Sequence, residues 1–344
     1  MSLIHSDSFE AYDITLQGNA NTDLSQIWTE NLHAVISSNF ARTGSQCLGV
    51  GTEFATSAAS QISFPFTNRS EVCLGFSLYM DNTTWRDDMR YTICTNEGDA
   101  ETFKMDIRIN STGNIELYEN GVKVLETLLR IQVKAHHYLE MRLKTGLLGS
   151  GIMEVRLEGY TILYWATTVI GDIDKFKIRG IGQGLGGTKD IFFDDFYILD
   201  NDGLFPSTFL GPVSMLTRTV IEDVSGNWVS TEASNFAALD NKDTAKFITG
   251  SEINDSVLLG FSDAGNEVFA VFGQTLFYKA TKTTNGPSAI APFIERLGIT
   301  ETGTLNPLSI NQVLYSETFN RDPITNSQQS RDQLNATNAG FVRV

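Results

Sequence analysis

Apolar residues recur at every second position through most of this chain and almost nowhere at the period of a helix. In HHYLEMRLKT, Leu139, Met141 and Leu143 share one face, while Tyr138, Glu140, Arg142 and Lys144 share the other. IMEVRLEG repeats the pattern, with Met153, Val155 and Leu157 inward and Glu154, Arg156 and Glu158 outward. Such alternation belongs to antiparallel strands with one wet face. NIELYENGVKVLE adds a hairpin, because Asn120-Gly121 supplies the positive φ angles of a tight two-residue turn. Similar runs at 70–80, 89–95, 103–109, 161–167, 174–180 and 190–199 follow one another with no helix between them. The pattern predicts a two-sheet sandwich.

At 344 residues the chain exceeds one ordinary core. The turn cluster Asp200-Asn201-Asp202-Gly203 and the two prolines of FPSTFLGP mark a connector, so the domains are predicted at 1–203 and 204–344. Strands resume beyond it at VSMLTRTV, SVLLGF, NEVFAVFGQTLFYKAT, SAIAPFIERL and QVLYSETF. Pro287 and Pro292 make the strand in TKTTNGPSAIAPFIERLGI an edge or interrupted one. The fold class is therefore all-β: two jelly-roll-like sandwiches with at most one short C-terminal helix. That helix is expected in SQQSRDQLNAT, capped by Asn326 or Ser327 and ended before Gly340, with FVRV as a last strand. FAVFGQTLFYKAT is apolar on both faces, with Val268, Ala270 and Phe272 alternating with Phe269 and Val271. It needs two covers. Either a homo-oligomer, predicted as a trimer, or the C-terminal helix supplies the second.

Charge narrows the partners. Lys and Arg total 25 against 41 Asp and Glu, a net charge of −16 with no basic run, so neither nucleic acid nor membrane is expected as a partner. Cys47, Cys73 and Cys94 form no CxxC pair and are predicted as buried reduced thiols. His5, His33, His136 and His137 lack zinc-ligand spacing. The start MSLIHSDSFEAYD lacks the pattern of a secretory signal, and TILYWATTVIG is too short to span a bilayer. Synthesis and folding in the cytoplasm are expected.

Each chemical motif meets an objection. GQGLGG satisfies G-x-G-x-x-G at Gly182, Gly184 and Gly187, but the strand-like TKDIFFDDFYILD follows where a dinucleotide site needs a helix. Asp194 and Asp195 are neighbours on a strand and should point to opposite faces, so they cannot act together across one bond. Glu154 and Glu158 share a face but lie roughly 13 Å apart. Asp7, Glu10 and Asp195 offer hard oxygens to calcium where terminal strands meet, yet the simpler expectation is that one aspartate of the pair caps a neighbouring loop and the other faces solvent. No G-x-S-x-G elbow is present. Trp165 is expected in the core, and Trp85, in NTTWRDD, is the candidate for ligand contact. No catalytic, cofactor-binding or metal-binding residue is predicted, and no enzymatic role.

The order of SDSFEAYD, RTGSQCLGVG, VCLGFSLYM, GNIELYENGVKVLET, HHYLEMRLKT and FDDFYILDNDG resembles a concanavalin-A-like or laminin-G-like jelly roll. More narrowly it resembles the version in tailed-bacteriophage structural proteins, where a connector like FLGPV at 209–213 follows the closing strand. The second half, from TRTVIEDVSGNWVS to the C-terminal FVRV, resembles the second β-domain of the same proteins. The resemblance implies a non-enzymatic virion component, on tail or head, that is made in the host cytoplasm and partners other virion proteins. The alternative is a carbohydrate-binding adhesin that recognises host envelope glycans.

Overall fold

The alternating strands close into sheets in two units, residues 1–215 and 216–344. The structure is a computed structural model. It describes residues 2–12, 22–32, 34–50, 60–81, 90–97, 100–180, 191–200, 209–239, 245–266, 268, 270–283 and 288–344.

The first unit begins with β1 (Ser2–Asp7), α1 (Thr22–Ile27), β2 (Thr29–Leu32), β3 (Val35–Ser37), β4 (Cys47–Val50) and β5 (Ser60–Arg69). It continues through β6 (Glu71–Met80), β7 (Arg90–Glu97), β8 (Ala100–Ile109), β9 (Asn114–Glu119) and β10 (Val122–Arg130). It ends with β11 (His136–Lys144), β12 (Gly151–Leu157), β13 (Tyr160–Thr167), β14 (Ile173–Gly180) and β15 (Ile191–Asp200). Sheet A has the order β13-β12-β11-β6-β15-β4-β3, with β1 also on β15. Sheet B has the order β10-β9-β8-β7-β14-β5-β2. Aromatic rings join the two: Phe76 of sheet A lies 5.3 Å from Tyr91 and 5.8 Å from Phe176 of sheet B, ring centre to ring centre. The three cysteines are buried and unpaired with one another. The predicted turn at Asn120-Gly121 has φ of 47° and 80°, and Glu158-Gly159 repeats it with 51° and 81°.

The outward face of sheet A carries apolar residues of its own, Leu3, Cys73, Tyr138, Tyr197 and Leu199, and a strap covers them. Phe209, Leu210, Val213 and Met215 pack there. The amide of Leu210 donates to the Tyr197 hydroxyl, and that of Gly211 to Glu140 Oε1 at 2.8 Å. FLGPV, which the sequence assigns to the second domain, is therefore fastened to the first, and the unit boundary falls after Met215 rather than Gly203. Residues 201–208 of the predicted connector lie outside the described residues.

The second unit comprises β16 (Val220–Gly226), β17 (Val229–Ser230), α2 (Asn235–Leu239), β18 (Ile248–Thr249), β19 (Ser256–Phe261) and β20 (Gln274–Ala280). After these come β21 (Ala289–Arg296), β22 (Ile299–Thr302), β23 (Asn306–Pro307), β24 (Val313–Phe319), α3 (Arg331–Asn335) and β25 (Asn338–Arg343). Its main sheet runs β16-β19-β25-β21-β22, and the ribbon β20-β24 packs Leu276, Tyr278 and Tyr315 against Val257, Leu259 and Phe341. β21 is not an edge strand: it pairs with β25 on one side and with both β22 and β23 on the other. Pro292 falls between the residues that pair with β23 and those that pair with β22, where a missing amide costs no ladder bond.

Two further helices correct the expectation of one. α1 and α2 are each only five or six residues long, too short to leave a helical period in the sequence. α3 starts later than expected, capped by Ser330 in a reciprocal box with Gln333. Its Leu334 packs with Ala264 on Val271 and Val268, two residues of that apolar run, while Ala270 stays exposed. Val271 makes a single bridge to Gln329, and the strand itself begins only at Gln274. Phe269 lies outside the described residues.

Candidate functional site

Several of the residues singled out in the sequence make hydrogen bonds within the fold. Asp194 and Asp195 do not face apart, because Asp195 adopts φ of 52° in a bulge of β15. Both carboxylates reach the same segment. Asp194 Oδ2 accepts from the amides of Arg42 and Thr43, while Asp195 accepts from the Arg42 guanidinium at 2.7 Å and the Thr43 hydroxyl. Asp195 also accepts from the Met215 amide at the end of the strap. Burial, then the charge of Asp195, pushes the Asp194 carboxyl up to about 7. Asp7 accepts from Phe9 N, Tyr12 Oη and Trp28 Nε1, and Glu10 from the amides of Ser45 and Gln46. Asp7, Glu10 and Asp195 are thus each occupied by protein donors. Trp165 is half-buried rather than core and donates to Glu119 at 3.0 Å. Trp85 and the glycines of GQGLGG lie outside the described residues.

The concentration of polar chemistry lies elsewhere, on the outward face of sheet B. In β7, β8 and β14, Tyr91, Ile93, Met105, Ile107, Phe176 and Ile178 enter the core, so their neighbours in sequence turn out. The cations among those neighbours are Arg90, Lys104, Arg108, Lys175, Lys177 and Arg179, of which the three lysines are buried. Register brings them together across strands. Arg179 of β14 pairs with Arg90 of β7, and Arg90 pairs with Arg108 of β8. Gln61 of β5 continues this row beyond Arg179, and Glu116 of β9 continues it beyond Arg108. The next row reads Ser63, Lys177, Thr92, Asp106 and Tyr118.

Part of this face is tied down. Arg108 donates through Nε and Nη2 to Asp106 Oδ2, at 3.0 and 2.9 Å, and its guanidinium carbon lies 3.6 Å from the centre of the Tyr118 ring. The Thr92 hydroxyl donates to the other Asp106 oxygen at 2.6 Å, and Tyr118 donates to Glu116 at 2.7 Å. Glu30 bridges Lys175 and Lys177 at 2.6 and 2.8 Å. Burial opposes its ionisation, yet hydrogen bonds from both lysines hold its carboxyl at about 2.

Another part is not. The Nε atoms of Arg90 and Arg179 are buried and meet no acceptor among the described residues. Burial, followed by the neighbouring charge of Arg108, lowers the proton affinity of Arg90. Like charges opposite one another destabilise a sheet, so three arginines in register work against the fold. The signal was present in the sequence as alternate basic residues, in DKFKIRG and FKMDIRI, but the register that aligns them was not.

No family model matches the sequence, and no curated protein matches it. Solved structures show a likeness over about half the chain. An endo-β-1,4-glucuronan lyase from the fungus Trichoderma reesei is 13% identical, with a TM-score of 0.42 over 57% of this chain and 95% of that one. A carbohydrate-binding module from Bacillus subtilis is 11% identical, with a TM-score of 0.34 over 50% of this chain and 94% of that one. A Trypanosoma rangeli sialidase in complex with sialic acid is 12% identical, with a TM-score of 0.35 over 53% of this chain and 30% of that one. The chain spans under a third of the sialidase. Likeness at this level carries no activity across. Two of these proteins are enzymes by name, however, so the expectation that this chain is not an enzyme is withdrawn.

Proposed function

We propose that this protein recognises a carbohydrate chain on the outward face of sheet B. The observation that carries the reading is the half-buried row Gln61, Arg179, Arg90, Arg108 and Glu116, which presents hydrogen-bonding side chains from five adjacent strands. Tyr118 beside it adds a ring already stacked on a guanidinium. A glycan offers hydroxyls to such donors and acceptors and C–H faces to such rings. Rigid strands hold the row, so little ordering cost falls on the protein when a ligand binds.

This reading takes the carbohydrate-binding alternative over the virion one. The motifs behind the phage resemblance have a structural use: FDDFYILD holds the 42–43 segment and the strap, and FLGPV is part of the strap. They speak to architecture. A glycan array probed with the full chain tests the reading, with Tyr118→Ala as the control. Array binding that is lost in Tyr118→Ala supports it; a blank array, or binding unaffected by that change, overturns it. Assaying any bound glycan for chain cleavage then decides whether turnover accompanies binding.

A further inference from the structure

The arginine row narrows the ligand. We propose that Arg179 and Arg90, with Arg108 beside them, form an oxyanion-binding row that takes the negatively charged groups of an acidic glycan. This rests on the carbohydrate reading above and specifies its ligand class.

Three observations converge. The first is position against charge: a chain of net charge −16 gathers Arg90, Lys104, Arg108, Lys175, Lys177 and Arg179 on one sheet face. The second is register, since Arg179, Arg90 and Arg108 are direct cross-strand neighbours on three adjacent strands. Strand spacing puts successive guanidinium groups about 5 Å apart at their bases. The third is incomplete pairing. Elsewhere in this unit, arginines meet carboxylates: Arg142 meets Glu71, Arg156 meets Glu154, and Arg69 meets Asp200. Arg90 and Arg179 instead keep a buried Nε with no acceptor among the described residues. An arrangement that repels itself and leaves donors unmet is completed by an anion from outside, and planar guanidinium forks match a carboxylate or sulfate. Arg108 is different. Asp106 and the Tyr118 ring fix its orientation, so it is the fixed end of the row, while Arg90 and Arg179 each carry a buried Nε that meets no acceptor among the described residues.

Carboxylates of uronic acids and sulfate esters share the required chemistry, and titration calorimetry on the full chain separates them. The probes are an oligogalacturonate, a sulfated oligosaccharide, a neutral oligosaccharide of equal length and a single-stranded oligonucleotide. An acidic oligosaccharide is expected to bind, more weakly as salt rises, and the tighter of the two names the group. Arg90→Gln and Arg179→Gln are each expected to weaken that binding on the order of tenfold or more, the worth of one charge-assisted hydrogen bond. Because the row repels itself, both variants should melt at or above the temperature of the parent. Equal affinity for the neutral oligosaccharide would overturn the inference while leaving the carbohydrate reading intact. No oligosaccharide binding at all would remove both. Preference for the oligonucleotide, parental affinity in both variants, or a marked fall in melting temperature would each overturn the arginine assignment.

Discussion

The two outward faces of the first unit come from the same strand alternation and end in opposite states. On sheet A each outward carboxylate named above accepts at least one hydrogen bond, with Glu140 Oε2 left buried and unmet among the described residues, and the strap from Phe209 to Met215 closes over Tyr138, Tyr197 and Leu199. On sheet B the outward rows bring Arg179, Arg90, Arg108 and Lys177 together with Asp106 and Glu116, no comparable strap covers them among the described residues, and two guanidinium nitrogens meet no acceptor there. Polar residues on a sheet therefore mean different things according to whether their partners are inside the chain. Sheet A uses charge to hold the strap. Sheet B keeps charge in reserve.

If that contrast is right, the largest loss should come from the latch on sheet A. Asp195→Ala removes the acceptor of the Arg42 guanidinium, the Thr43 hydroxyl and the Met215 amide at a fully buried site. It should cost about 3 kcal/mol, near the low end for a broken buried pair because Arg42 keeps some contact with water. Chemical denaturation measures this, and hydrogen exchange should show the Met215 amide opening. A loss below about 1 kcal/mol would mean that the strap is not held through Asp195.

Next comes pH. The Asp194 carboxyl, raised by burial and by Asp195 from an ordinary 3.8 to about 7, is more easily protonated in the folded chain than in the unfolded one. Its stabilising contribution is complete below the unfolded value and is lost as pH climbs through about 7. Melting temperature followed from about pH 5 to about pH 8 should therefore decline in the parent more than in Asp194→Asn. Parallel curves would show that Asp194 does not contribute.

A matched pair of hydroxyl deletions sharpens the comparison further. Tyr197 donates to Glu140 and accepts from the Leu210 amide, so Tyr197→Phe leaves a strap amide unsatisfied. Thr92→Val on sheet B removes only a donor to Asp106, which Arg108 still holds. Losses of about 2 and about 1 kcal/mol are expected by denaturation, in that order. The reverse order would break the contrast between a strapped face and one with no strap among the described residues.

The smallest effect should also have the opposite sign in pH. Glu30 is held at about 2 against an ordinary 4.5, so its contribution is present above 4.5 and lost as pH falls toward 2. Glu30 is partly exposed, which limits the effect to below about 1 kcal/mol after solvent screening. Acid unfolding curves of Glu30→Gln and the parent should converge at low pH and separate above it.

How much of this was legible in the residues follows from the range of the forces involved. Strand alternation, the Asn120-Gly121 turn, the connector residues and the final strand were readable because each depends on neighbours in sequence. α1 and α2 were not, being too short to repeat. The aspartate pair was misread because a single positive φ at Asp195 reverses the alternation, and nothing local in FDDFY announces a bulge. The sequence shows FLGPV only as a connector; its packing on the first unit depends on Tyr197 and Glu140 reaching it from strands far away in the chain. The candidate site shows the limit best. By itself the sequence determined which residues of β7, β8 and β14 turn outward, because the core must take the apolar ones between them. Only the tertiary structure decided that Arg179, Arg90 and Arg108 stand side by side, because strand order and register are set by long-range pairing.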